Sequence, residues 1–406
     1  MLVLGMPASA QPKIALPAPK KGTLDTLIPV MAQSARVMAV SDTHSMLAFG
    51  HDKDADVQVS LVKLDPKGTP AASSAQLKLP IPVELTKLKD RKRNYVTGVA
   101  FHPKLPLLYV WQDVDVYYSN PVPPGPPETM QFEHLCIVSF AKDPPELVVS
   151  LCRGLEYTHG QGGGAVAVDP TGSFLYVPNL RELKNAGSFR IGRYPLDADG
   201  LPFVNEKDTK DPLPARIKKL TEASNTEKFT PPQLTPIEYL HLFNHSQYGC
   251  AHSLWPLSKD VVLVGINNGL MTWRPEEKHV IAAGVPLQRA GHTQFAAHPA
   301  LPAIFATVQH GPNDTFFRAE QSEGYLTLLP KQYEIKGSKL TGQPAIMPKA
   351  KKVLIGGESC VYAIDLDDKG FPTGEPVQIV VNCPQVKAMV YSEKYERAYV
   401  GVEVSK

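Results

Sequence analysis

The chain lacks a dominant charge. Its 42 Lys and Arg against 40 Asp and Glu leave a formal net charge of +2, far from the basic surface that nucleic-acid binding needs. The one dense basic run, Lys87 to Arg93 (KLKDRKR), stands just before a predicted strand and reads as a solvated loop. No stretch approaches the apolar length of a transmembrane helix. Cysteine is scarce. Cys136, Cys152, Cys250, Cys360 and Cys383 form no C-x-x-C pair and no zinc spacing, and the odd number leaves at least one thiol free or intermolecular. That argues against a disulfide framework, leaves room for one bridge, and points to buried thiols. Motifs of catalysis are missing too: there is no G-x-S-x-G elbow, and His241 and His245, four apart as on one face of a helix, have no H-E-x-x-H glutamate. The glycine run 160–164 leads into a strand, not into the helix N-terminus that would hold phosphate.

What the chain does have is proline, 39 residues, with 29 glycines, a composition suited to many turns and few long helices. It also has an internal repeat. A two-strand unit with a tight turn recurs at 37–50, 98–111, 165–178, 253–266, 294–307, 344–357 and 388–401. The turn positions Thr43, Pro103, Pro170, Pro256, Pro299, Pro348 and Ser392 lie about 60, 67, 86, 43, 49 and 44 residues apart, and the shorter spacings match propeller blades. The pattern L-D-x-x-G-x-P follows three of the units, at Leu64–Pro70, Leu196–Pro202 and Leu366–Pro372. Its glycine suits a left-handed backbone position and its aspartate can bond the turn. An EF-hand reading fails for lack of flanking helices and the closing glutamate.

These observations predict an all-β, seven-bladed β-propeller of four-stranded antiparallel blades, a single domain over 13–406 with an insertion at about 205–248. Pro212 to Ala223 is predicted as a short amphipathic helix in that insertion. The last copy has only two strands. Either the segments Lys13–Pro17 and Thr26–Met31 complete it from the N-terminus, or the chain is cut short. Residues 1–12, MLVLGMPASAQP, look like the end of a secretory signal peptide without its basic start, which predicts export to the periplasm or cell exterior. An unstructured tail is the other reading, and a cytoplasmic location stays open.

The strings GAVAVDPTGSFLYVPNL (164–180) and YPLDADGLP (194–202) resemble the YVTN-repeat, lactonase-like propellers, and the similarity extends over roughly 34–402. That family includes 6-phosphogluconolactonase-type enzymes that open sugar lactones. Cys250 to Ser253 and Arg289 to His292 are similar to family segments that carry His and Arg before inner strands. The resemblance implies the fold, and more weakly a lactone hydrolase.

In a propeller the residues just before each inner strand meet at one end of the central channel. Here they are Arg36, Asn94, Tyr95, His159, Gln161, Tyr248, His252, Arg289, His292, Gln343, Gln385 and Lys387, a polar, partly cationic group without an acid. Such a group suits a carboxylate, phosphate or polarised carbonyl. Two functions follow as expectations. One is a binding or interaction propeller that takes a small ligand or a partner protein through Arg36, Tyr95, His159, Gln161, Tyr248, Gln343 and Lys387. The other is a metal-independent lactone hydrolase with His252 or His292 as general base and Arg289 stabilising the oxyanion. A three-histidine zinc or copper site from His159, His252 and His292 has no recognisable supporting partners, so no metal and no cofactor is expected. His102 and His298, each before a proline at equivalent turns, are assigned a turn role. Oligomeric state is not legible.

Overall fold

A computed structural model of the chain describes residues 13–32, 35–51, 58–80, 91–117, 129–155, 165–178, 190–203, 205–223, 238–241, 251–266, 269–275, 285–286, 292–309, 314–322, 325–326, 330–381 and 383–403. Seven separate sheets follow one another in chain order. Blade 1 is Ala35–Ser41, Met46–His51, Val59–Lys63 and Ala75–Leu77. Blade 2 is Arg91–Phe101, Leu107–Tyr117, Thr129–Ser139 and Glu146–Leu155. Blade 3 is Ala167–Val168, Phe174–Pro178, Arg190–Pro195 and Glu238–His241. Blade 4 is Ala251–Ser258, Val261–Ile266, Gly269–Trp273 and Val285–Pro286. Blades 5, 6 and 7 begin with His292–Ala297, Ala345–Met347 and Met389–Ser392. Within each blade, consecutive strands pair antiparallel.

Packing joins the seven blades into a ring. Along each second strand the side chains alternate between faces, and both faces are apolar. Leu47 and Phe49 pack towards blade 7, while Met46 and Ala48 pack towards blade 2. Tyr109 and Trp111 face blade 3, and Leu108 and Val110 face blade 1. The buried apolar residues form seven clusters, one between every pair of neighbouring blades, including blade 7 with blade 1. The ring is closed, and no blade face is left to water.

The N-terminal segment is a strap over three blades. Ile14–Ala15 pairs with the outer strand Lys331–Glu334 of blade 5, Lys20–Lys21 with Pro372–Val380 of blade 6, and Leu27–Ala32 with Arg397–Glu403 of blade 7. All three pairings are parallel. Thr26–Met31 thus matches the expected closure of the last blade, whereas Lys13–Pro17 lies on blade 5. The parallel sense has a simple cause. Leu27–Ala32 and Arg397–Glu403 both run towards the end of the ring where the first strand of blade 1 begins, at Ala35. Blades 5 and 6 gain short extra strands from this strap, and blade 7 has three strands among the described residues.

Two further readings need adjustment. The strand of blade 2 starts at Arg91, inside the basic run assigned to a loop. His241 ends the outer strand of blade 3 instead of lying on a helix, because pairing with Arg190 continues that sheet. His245 and the glycine run lie outside the described residues. The helix expected in the long segment is present as Leu213–Ala223. Its Leu220 and Ile217 pack into the cluster between blades 2 and 3, with Val149 and Leu151 of the outermost blade 2 strand. It therefore sits on the outer wall of the ring. Arg216, buried, holds it there through Asp197 and Asp199 of the adjacent turn.

Candidate ligand site at the central channel

The seven first strands surround the axis and enclose a channel of about 490 Å³, a volume within the usual range of small-molecule pockets. One end of the channel is where these strands begin, here called the leading rim. The other carries the turns into the second strands.

The turn end is built from a recurring device. At the first turn position a side chain accepts hydrogen bonds from backbone amides two to five residues on, the arrangement of Asx and Ser/Thr turns. Ser41 takes the amide of His44, Asp169 those of Thr171, Ser173 and Phe174, Ser258 that of Asp260, and Ser392 that of Tyr395. His102 and His298 play the same part. Nδ1 of His102 accepts from Lys104 (3.1 Å) and Leu105 (2.9 Å), and Nδ1 of His298 accepts from Ala300 (3.1 Å) and Leu301 (3.0 Å). The proton of His102 therefore sits on Nε2, 3.2 Å from the Gly172 carbonyl of blade 3. Burial lowers the pKa of both rings. Their assigned turn role holds. Glu393 is the one charged side chain on the channel wall among the described residues, and it stands at this end.

The leading rim is different. In blades 1 and 4 the first strand opens on a β-bulge, and in blade 2 a bulge interrupts the first strand after Val96. The extra residues are Arg36 between Ala35 and Val37, Thr97 between Val96 and Gly98, and His252 between Ala251 and Ser253. A bulge breaks the pleat and re-aims its side chain. Arg36 places its guanidinium 4.8 Å from the centroid of the Tyr95 ring, a cation–π contact between blades 1 and 2. Lys387 precedes the first strand of blade 7, and its carbonyl accepts the backbone amide of Gln343 from blade 6 at 3.3 Å. The Gln343 side chain lines the channel and donates to the Phe295 carbonyl of blade 5 at 3.4 Å. Between Lys387 and Arg36 stands Gly401. Its amide bonds the Ala388 carbonyl at 3.2 Å, and a side chain there would lie 2.8 Å from the Cβ of Ala35. Gln343, Lys387, Arg36 and Tyr95 thus form one continuous arc over blades 6, 7, 1 and 2.

Of the other predicted residues, His252 and His292 have described backbone only. His252 stands on its bulge, and His292 opens the first strand of blade 5 opposite Gln309. His159, Gln161, Tyr248 and Arg289 lie outside the described residues, and so does their convergence. Two residues escaped the sequence reading. Thr97 occupies the same place before its repeat as Arg36, His252, Gln343 and Lys387, a signal available in the alignment of the seven units. Trp255 lines the channel and is 40% exposed, although both other tryptophans are fully buried.

No protein-family model matches the chain, and no curated protein does either. Solved structures do. A protein of unknown function from Desulfotomaculum acetoxidans aligns at 10% identity and a TM-score of 0.49, over 88% of this chain and 94% of its own. The Dos1 propeller aligns at 11% identity and 0.44, over 88% and 73%. A candidate 6-phosphogluconolactonase from Bacteroides fragilis aligns at 12% identity and 0.36, over 86% and 98%. Likeness at this level says nothing about ligand or reaction. The seven-bladed architecture rests on the sheets and clusters above.

Proposed function

We propose that this chain is a binding propeller whose leading rim holds a small anionic or carbonyl-bearing ligand at the mouth of the central channel. The observation that carries the reading is the arc Gln343–Lys387–Arg36–Tyr95. It brings the backbone of Lys387 against Gln343 and the Arg36 guanidinium over Tyr95, at the end of the channel opposite Glu393. Two cationic residues on that arc favour a carboxylate or phosphate through charge-assisted hydrogen bonds. In this reading His159, Gln161 and Tyr248, which precede the first strands of blades 3 and 4 in the sequence, add contacts to the ligand. The chain itself supplies binding and orientation, with no metal required.

The test is a thermal-shift panel of small carboxylates and phosphates on the wild type and on the Arg36→Ala/Lys387→Ala double variant. Stabilisation of the wild type by at least one anion, lost in the double variant, is the expected result. Equal shifts in both proteins, or none in either, would overturn the reading.

A further inference from the structure

Resting on that anion site, we infer that the ligand is an amphipathic monocarboxylate, with its head on the leading rim and its apolar body along the channel towards Trp255. The channel has a chemical direction: the strand ends that carry Arg36 and Lys387 lie at its beginning, and Glu393 stands on its wall at the far end. A carboxylate is therefore attracted to one mouth and repelled from the other.

Between those ends the residues on the wall are mostly apolar, among them the partly exposed Val37, Val99, Leu254 and Val390. The inner strands also turn a backbone edge to the axis, whose polar groups resist an apolar occupant. On blade 5 the carbonyls of Thr293 and Phe295 already accept from the side chains of Ser253 and Gln343, at 3.0 Å and 3.4 Å, which leaves fewer of them open.

Two unsatisfied features fit the same ligand. Trp255 presents a large apolar surface to the channel, 40% exposed, where burial would be favourable. Thr97, on its bulge two residues from Tyr95, is only 8% exposed, lines the channel, and its hydroxyl has no hydrogen-bond partner among the described residues. It stands on the blade next to Arg36, where it can donate to a carboxylate oxygen.

Trp255 also supplies the readout. Trp111 and Trp273 are 0% and 1% exposed, so an emission change on binding reports Trp255. The experiment titrates the full chain, below micellar concentrations, with butanoate, hexanoate, octanoate, decanoate, decanol and decylammonium. Expected are affinities that tighten about threefold to fourfold per methylene along the acid series and a blue shift of emission. In Trp255→Phe the shift should vanish while calorimetry still detects binding. In Arg36→Ala/Lys387→Ala decanoate should weaken at least tenfold and decanol hardly change. Affinity independent of chain length, with the double variant still losing it, would overturn the apolar-body inference and leave the anion site standing. Decylammonium binding as tightly as decanoate would overturn the orientation. If no acid of any length binds, both readings fall.

Discussion

Tyr399, on the second strand of blade 7, donates its phenolic hydrogen to the carbonyl of Gly68 in blade 1 at 2.7 Å. The same latch recurs where Tyr109 of blade 2 meets Gly200 of blade 3 at 2.6 Å. At the third L-D-x-x-G-x-P turn Arg318 of blade 5 replaces the tyrosine and donates to Gly370 of blade 6 at 2.7 Å. In all three turns the aspartate accepts backbone amides and the glycine is left-handed, with φ of +75°, +75° and +73°. The motif is thus a blade-to-blade fastening as well as a turn.

The latch between blades 7 and 1 should be measurable. Tyr399→Phe removes one buried hydrogen bond and should lower stability by about 1 kcal/mol. Gly68→Ala should cost more, because the backbone there is left-handed and the new methyl would lie 2.6 Å from Cβ of Tyr395. Denaturant unfolding of the two variants should rank them in that order. The reverse ranking would refute the latch.

The strap should stabilise a blade remote from it in sequence. Leu16 is buried against blades 5 and 6, and its amide bonds the Glu334 carbonyl at 2.9 Å. Leu16→Ala should cost about 2 kcal/mol. Amide exchange should quicken first in Lys331–Glu334, more than 300 residues away along the chain. Unchanged exchange there would show that the strap does not hold blade 5.

Stability should fall on the acid side. Burial lowers the pKa of His44, His102 and His298 below 6.5 and takes His134 down to about 4. Below pH 6.5 the unfolded chain binds protons that the folded chain refuses, so unfolding becomes easier as pH falls. The contribution is complete above 6.5 and is lost as pH drops through each folded value, for His134 across the window from 6.5 to about 4. Each ring adds at most about 1.4 kcal/mol per pH unit. Unfolding free energies measured from pH 7.5 to 4 should decline, and less steeply in His134→Gln. A parallel decline in that variant would assign the loss elsewhere.

The hydrolase alternative has its own measurement. If the chain only binds, a panel of sugar lactones should hydrolyse no faster with protein than in buffer. Turnover by the wild type that drops at least a hundredfold in His292→Ala would replace the binding reading with the enzymatic one.

Much of this architecture was legible because a propeller repeats its local rules. The alternation of Leu47, Phe49, Met46 and Ala48, or of Tyr109 with Leu108, writes two apolar faces into one strand, and that pattern survives without any distant contact. The His-Pro turns at 102 and 298 were readable for the same reason, since a histidine nitrogen can replace a serine or aspartate oxygen in a local turn. The i, i+4 spacing of His241 and His245 has meaning only where a helix exists, and pairing with Arg190 gives His241 to a sheet.

By itself the sequence determined the blade: hairpin lengths, turn chemistry, the number of copies and the apolar period of two, all set by forces acting within a few residues. Only the tertiary structure decided which remote residues meet. It ran the N-terminal segment across three blades, joined Tyr399 to Gly68, and brought Gln343, Lys387, Arg36 and Tyr95 onto one arc. The physical reason is that ring closure is a collective property of seven interfaces, and no local preference encodes the partner on the next blade.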